Sequence, residues 1–137
     1  MRYLTVGYNI LVSSPLLSLL LLLVARARVE VTALIISVQI CGMILHLVGY
    51  RKSSNPSETP PHVLWSGVFL VVWGFLIAWY LNTWHNFHIT CYLPEKPLSF
   101  WDNMNYAAYV LKGLLWVASG LMLIITSISK TFRVRQT

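Results

Sequence analysis

The chain has 137 residues, of which 57% are hydrophobic and only 10% are charged. Because a soluble domain usually has about 25% charged residues, this composition excludes an ordinary soluble domain and predicts an integral membrane protein. The net charge of +6 does not require nucleic acid as a partner. Most of the basic residues flank apolar segments, where anionic lipid attracts each of them by roughly 1 kcal/mol.

Four segments carry almost no charge, and each is long enough to cross a bilayer. A hydrocarbon core about 30 Å thick needs roughly 20 apolar residues in a helix. In lipid the backbone N–H and C=O groups must pair within the segment, so each span is expected to be helical. The sequence predicts an all-α, integral membrane four-helix bundle with up-down-up-down topology, which forms one domain over residues 1–137. The spans are predicted at about residues 5–25, 30–50, 62–84 and 107–129.

The first span has two interpretations. Arg2, a leucine-rich run and Ala25-Arg26-Ala27 resemble a secretory signal with an A-x-A cleavage site. However, residues 3–25 form an uncharged run of 23 residues, whereas a signal core usually has about 7–15. We therefore expect a retained first helix. Cleavage would leave three helices, with the new N-terminus outside.

The second span carries polar residues on one face. Gln39 lies near its midpoint, and His46 follows seven residues later on the same face as Gly42 and Gly49. This face is expected to point into protein, because a Gln and a His facing lipid are costly. An interhelical hydrogen bond of roughly 0.6–2 kcal/mol is the preferred interpretation. A haem ligand, a proton relay and a small polar pocket are the alternatives, although no other span holds a second His for a bis-histidine haem.

The longest predicted loop covers residues 85–105, between the third and fourth spans. Leu93-Pro-Glu-Lys-Pro-Leu is typical of a turn. Phe100-Trp101 then indicates a short segment that dips into the membrane interface before the fourth span.

The same loop contains His85, His88 and Cys91 at intervals of three residues. On a continued helix they would share a face, and imidazole with thiolate suits zinc or copper. Structural zinc usually has four ligands, so Asp102 or Glu95 would have to complete the set. We expect ordinary interfacial residues here, and neither a metal nor a cofactor.

Lys112 is the charged residue of the fourth span. It is predicted to lie about one turn inside the outer edge of the membrane, where its ammonium can snorkel outward. We prefer this interpretation to a channel or proton-relay role.

Small residues are expected to mark the contacts between helices, because close packing and polar contacts associate helices in lipid. A spacing of seven residues keeps them on one face and suits left-handed packing at about +20°. The predicted packing residues are Gly42, Gly49, Gly67, Gly74, Ala78, Gly113, Gly120 and Ser127. Ser14 and Ser18 are expected to act in the same way in the first span.

The distribution of basic residues predicts the orientation. Six lie on the side of the two termini and the second loop, and three lie on the other side. The six are Arg2, Arg51, Lys52, Lys130, Arg133 and Arg135, and the three are Arg26, Arg28 and Lys96. This excess predicts that both termini are cytoplasmic.

The layout resembles the MARVEL-like tetraspan proteins. The third span is rich in aromatic residues (LWSGVFLVVWGFLIAWYL), and the fourth has small residues and a central Trp (NYAAYVLKGLLWVASGLMLIIT). The outer loop carries Cys91, and the W-GLW-C-C pattern of claudins and the CCG-type loop of tetraspanins are absent. The resemblance implies a non-enzymatic role in membrane organisation, such as membrane apposition, vesicle trafficking or junction assembly.

No motif in the sequence indicates an enzyme. There is no Gly-rich phosphate loop, no H-E-x-x-H and no G-x-S-x-G, and the four acidic residues lie in or beside loops. We therefore predict a multi-pass scaffold of the plasma membrane or endomembranes. Its expected partners are the lipid bilayer and other membrane proteins or further copies of itself.

Two other functions remain open. In an accessory subunit of a transporter, channel or lipid enzyme, Gln39, His46 and Lys112 would meet the helices of a partner. A small integral enzyme or carrier would use Gln39 and His46, with the histidine–cysteine cluster of the outer loop.

Overall fold

The computed structural model describes residues 2–25, 29–53, 62–92 and 99–135, which form four helices and no strand. The helices are α1 (Arg2–Ala25), α2 (Val29–Lys52), α3 (Val63–Tyr92) and α4 (Phe100–Arg135). Each contains a segment that is long and apolar enough to cross a membrane. These segments are Arg2–Val24, Glu30–Lys52, Val63–Thr83 and Asp102–Ser129. The predictions of an all-helical protein and of four candidate membrane spans are confirmed.

Both α3 and α4 extend well beyond their predicted spans. Because α3 continues to Tyr92 and α4 begins at Phe100, the prediction of a loop over residues 85–105 is wrong for most of its length. Ser99 caps α4: its hydroxyl accepts a hydrogen bond from the N–H of Asp102 (3.2 Å), whose carboxylate accepts one from the N–H of Ser99 (3.3 Å). This reciprocal pair satisfies two N–H groups at the helix start, as in a capping box. Phe100 thus belongs to α4 itself.

An antiparallel contact joins α1 and α2. A Cβ on Gly7 would meet the backbone nitrogen of His46, and a Cβ on Gly49 would meet the backbone of Leu4. Gly42 lies against the side chain of Leu11. The residue numbers therefore rise along one helix as they fall along the other. The backbones approach this closely because glycine has no side chain.

A second antiparallel contact joins α3 and α4. A Cβ on Gly74 would lie 2.5 Å from the carbonyl oxygen of Gly113, and a Cβ on Gly67 would lie 2.8 Å from that of Gly120. Ala78 completes the contact, since its Cβ would lie 3.1 Å from one placed on Gly113. The glycines of the two helices thus face each other in pairs, in opposite chain order.

The two helix pairs meet mainly through α2 and α4, which run in the same direction. The residue numbers of the contacting residues increase together along the two helices. The pairs are Gln39 with Lys112, His46 with Thr126, and Tyr50 with Ser129. The start of α1 also lies beside the start of α3, where the Tyr8 hydroxyl hydrogen-bonds that of Ser66 at 2.7 Å. One end of the bundle therefore holds the starts of α1 and α3 and the ends of α2 and α4.

Apolar side chains cover the outside of the bundle as well as part of its core. Trp116, Leu11 and Leu70 are among the fully buried side chains. Leu23 and Trp65, by contrast, are 83% and 72% exposed. Such a surface is unfavourable in water and suits contact with lipid.

Candidate functional site inside the bundle

Several polar side chains that lie within the candidate membrane spans point into the bundle. We name the buried, hydrogen-bonded group the polar seam; it consists of Ser14, Ser18, Gln39, His46, Lys112, Trp116 and Thr126. Polar groups turned toward lipid would have no partner, so inward contacts between helices are their favourable arrangement. The polar seam connects α1, α2 and α4.

Lys112 occupies one end of the polar seam and is only 3% exposed. Its Nζ donates a hydrogen bond to the Ser18 hydroxyl at 3.0 Å. It also lies over two aromatic rings, 4.7 Å from the centroid of Tyr109 and 5.5 Å from that of Trp116. The negative face of an aromatic ring attracts a cation and thereby replaces part of the lost hydration.

The expected outward snorkelling of Lys112 is therefore wrong. The lysine turns inward because Ser18 on α1 provides an acceptor and the two rings provide a surface for the cation. The acidic side chains that the structure describes, Glu30 and Asp102, are both exposed. A hydroxyl and aromatic rings thus hold the buried lysine.

Gln39 lies fully buried between α2 and α4. Its Nε2 donates a hydrogen bond of 3.4 Å to the backbone carbonyl of Lys112. Its Oε1 is buried without a hydrogen-bond partner among the described residues. A buried acceptor left in this way costs about 1–3 kcal/mol, so the amide fixes the position of α2 on α4 more than it stabilises the contact.

Trp116 connects α4 to α1 across the bundle. Its Nε1 donates a hydrogen bond to the Ser14 hydroxyl at 2.8 Å, and that hydroxyl donates in turn to the carbonyl of Leu11 at 2.8 Å. The indole also packs against Trp73 of α3, with ring centroids 6.4 Å apart at 66°. Trp116 therefore contacts α1 through a hydrogen bond and α3 through an aromatic contact.

His46 hydrogen-bonds Thr126 on α4, with 3.1 Å between Nε2 and Oγ1. The Thr126 hydroxyl donates its one hydrogen to the carbonyl of Met122 at 2.9 Å. If the Thr126 hydroxyl donates to that carbonyl, Nε2 of His46 is the donor in their hydrogen bond. This nitrogen is thus occupied, and His62, the other histidine whose side chain is described, is exposed. The described residues accordingly provide no pair of buried histidines for haem.

Three tyrosine hydroxyls make further contacts between helices that the sequence did not indicate. Tyr8 pairs with Ser66, Tyr50 with Ser129, and Tyr106 with Asn82 at 2.6 Å. A tyrosine near the end of a span commonly acts as an interfacial anchor, which requires no partner on another helix. Each partner lies on a different helix, so the contacts could not be found without knowing which helices meet.

The small residues that the sequence singled out all lie in the described helices. Gly42, Gly49, Gly67, Gly74, Gly113 and Gly120 are buried, and Ala78 and Ser127 are half-buried. Gly7 was not among them, although its position against His46 is one of the closest backbone approaches. In α1 the small residues expected at a helix contact were Ser14 and Ser18. Spacing within one helix is thus an incomplete guide to contacts.

The proposed metal ligands of the outer loop lie mainly outside what the structure describes. The backbone of α3 is helical through His85, His88 and Cys91, but their side chains and all of Glu95 fall outside the described set. Among the side chains that are described, no three His, Cys, Asp or Glu residues lie close enough to hold a metal ion. The remaining cysteine, Cys41, is exposed on α2.

The Ser18–Lys112 pair has the distance of a serine nucleophile and its base. Both side chains are buried, however, at 4% and 3% exposure. The hydroxyl and the ammonium are thus enclosed by the described helices. The contacts of the polar seam suit the positioning of helices.

Comparison of the chain with protein-family models, with curated proteins and with solved structures finds no match. The functional argument therefore depends on the residues and contacts of the chain itself.

Proposed function

We propose that this chain is a non-enzymatic, multi-pass membrane protein that organises membrane assemblies through lateral contacts of its outer helix faces. The observation that carries the proposal is that the side chains of the polar seam hydrogen-bond one another or the backbone of a neighbouring helix. Lys112 binds Ser18, Trp116 binds Ser14, and His46 binds Thr126. Within the candidate membrane spans, what the bundle offers to other molecules is its apolar exterior.

The outer face of α3 is the surface best suited to such contacts. Trp65, Phe69, Val72, Leu76 and Trp79 are all exposed, and their spacing of four and three residues places them along one face. Helices associate in lipid by close packing and polar contacts, and large aromatic side chains provide a wide contact surface. Membership of the MARVEL-like group is part of the proposal; four candidate spans and this aromatic third helix support it.

An accessory subunit of a larger complex is the competing function. In that hypothesis, Gln39, His46 and Lys112 would contact the helices of a partner. These three side chains are at most 3% exposed, so a partner would first have to separate α2 and α4. The accessory role is therefore left with the same outer faces as the scaffold.

A photo-crosslinking amino acid at position 76 tests the proposal, with position 70 as the matched control on the same helix. Leu76 is 49% exposed and Leu70 is fully buried. We expect crosslinks from position 76 to several membrane proteins or to second copies of the chain, and only intrachain products from position 70. Recovery of one larger protein in fixed stoichiometry from mild detergent would favour the accessory role. Equal and negligible protein adducts at both positions would contradict both.

The orientation of the bundle is part of the same proposal: both termini face the cytoplasm. After replacement of Cys41 and Cys91 by Ala, single cysteines are introduced as Ser53→Cys, at the end of α2, or Thr83→Cys, near the end of the candidate span of α3. In intact cells an impermeant maleimide is expected to label the variant at position 83. The variant at position 53 should react only after permeabilisation, because the two positions lie at opposite ends of the bundle. The reverse pattern would place the termini outside.

A further inference from the structure

The two ends of the bundle differ strongly in charge. In the sequence, the segments that begin α1, end α2, join α2 to α3 and end α4 contain six basic residues and one acidic residue, Glu58. The basic residues are Arg2, Arg51, Lys52, Lys130, Arg133 and Arg135, and we name this the basic end. The segments that join α1 to α2 and α3 to α4, with the adjoining helix starts, contain three basic and three acidic residues, which are Arg26, Arg28, Lys96, Glu30, Glu95 and Asp102. By sequence, the first set of segments is therefore strongly positive and the second is neutral.

Two contacts bring the basic residues of different helices together. The Nζ of Lys52 lies 5.4 Å from the ring centroid of Tyr3, which follows Arg2 at the start of α1. The Tyr50 hydroxyl hydrogen-bonds that of Ser129, directly before Lys130 in α4. The side chains of Arg2, Arg51 and Lys52 are exposed. The start of α1 and the ends of α2 and α4 therefore lie together, and Arg2, Arg51 and Lys52 are the basic side chains that the structure describes on this surface.

The depth of this surface is that of lipid headgroups. The apolar segments of α2 and α4 end at Lys52 and Ser129, and α4 continues as a helix to Arg135. Six further residues extend a helix by about 9 Å, whereas the headgroup region is roughly 5–8 Å thick on each side. Tyr3, Tyr50 and Trp65 lie at the same end, and Tyr and Trp prefer this layer. If the candidate spans cross a bilayer, Arg2, Arg51 and Lys52 would therefore lie at the level of its phosphates.

We infer that the basic end binds the phosphate groups of anionic phospholipid headgroups, gathering such lipids around the bundle. Basic residues at the ends of α2 and α4 also favour those helix termini through the helix dipole. That effect does not require charge at the start of α1, where Arg2 is instead unfavourable for the dipole. Lipid binding accounts for all three positions. The inference does not depend on the proposed scaffold function, because an accessory subunit would have the same surface.

The test measures lipid binding by the full chain in neutral detergent, using native mass spectrometry. The probes are dioctanoyl forms of phosphatidylserine, phosphatidylinositol bisphosphate and phosphatidylcholine. The variant is Arg51→Gln/Lys52→Gln, whose two positions are exposed. The matched control is Arg26→Gln/Arg28→Gln, which removes the same charge from the segment between α1 and α2. The melting temperature of each variant is measured in parallel to verify folding.

We expect both anionic lipids to bind the wild-type chain more tightly than phosphatidylcholine, with a preference that falls as salt is raised. The variant at positions 51 and 52 should bind the anionic lipids about tenfold more weakly. Each basic residue near a membrane surface raises the affinity for anionic lipid by about fivefold at most. The control should retain wild-type affinity. Equal affinities in all three proteins would overturn the inference, and so would an equal loss in both variants.

Discussion

Gly74→Ala is expected to destabilise the bundle by about 2 kcal/mol, although alanine is the better helix former. The added Cβ would lie 2.5 Å from the carbonyl oxygen of Gly113 and 2.8 Å from the backbone nitrogen of Val117. Because both atoms belong to the backbone, no side-chain rotation relieves the contact, and α3 must move away from α4. Inserting an extra group into a well-packed core typically costs about 1–3 kcal/mol.

The sign of the effect makes this prediction informative. Helix propensity alone would make Gly74→Ala stabilising by up to about 1 kcal/mol. The free energy of unfolding is measured by titration with a denaturing detergent. The control is Val72→Ile on the same helix, where the side chain is 52% exposed and an added methylene meets only the surroundings; its effect should stay within about 0.5 kcal/mol. An unchanged or increased stability of the alanine variant would show that α3 and α4 do not meet at Gly74.

Trp116→Ala is expected to produce the largest loss of stability, about 3–5 kcal/mol, by removing a fully buried aromatic side chain. The indole contacts Ser14 through its N–H, packs against Trp73 and lies beneath the ammonium of Lys112. Its removal therefore leaves a cavity and takes away contacts to α1 and α3 at once. The Lys112 cation also loses one of its two aromatic neighbours.

Two further variants separate volume from hydrogen bonding. Trp116→Phe keeps most of the ring but cannot donate to Ser14, and its loss should be about 1–2 kcal/mol. Leu114→Ala is the control on the same helix, since Leu114 is 53% exposed and its truncation should cost less than about 1 kcal/mol. Unfolding free energies in detergent give the comparison. Equal losses for Trp116→Ala and Leu114→Ala would mean that Trp116 does not lie in the core.

The four helices could be predicted from the sequence because charge decides which segments suit lipid. Each uncharged run is long enough to satisfy its own backbone hydrogen bonds and to span the hydrocarbon layer. The boundaries of α3 and α4 were less predictable. Helix continues through polar residues as far as Tyr92 and starts again at Phe100, and the capping pair of Ser99 and Asp102 was not recognised in the sequence.

The polar residues of the candidate site were identifiable one by one, but their partners were not. Gln39, His46 and Lys112 are conspicuous because polar groups in apolar segments are costly. The partners of His46 and Lys112, Thr126 and Ser18, are ordinary residues of other helices. The same limit applied to Gly7, whose close contact with His46 depends on the position of α2.

The sequence by itself determined that the protein is all-helical, that it has four candidate membrane spans, and which polar residues of those spans had to be placed away from lipid. It did so because the transfer of charges and unpaired polar groups into hydrocarbon is unfavourable wherever the helices lie. Only the tertiary structure decided that α2 lies beside α4, that Lys112 turns inward to Ser18, and that the start of α1 lies beside the ends of α2 and α4. These features depend on which helix faces meet. Close packing of small residues and matched hydrogen bonds determine that choice jointly over all four helices, so no single segment specifies it.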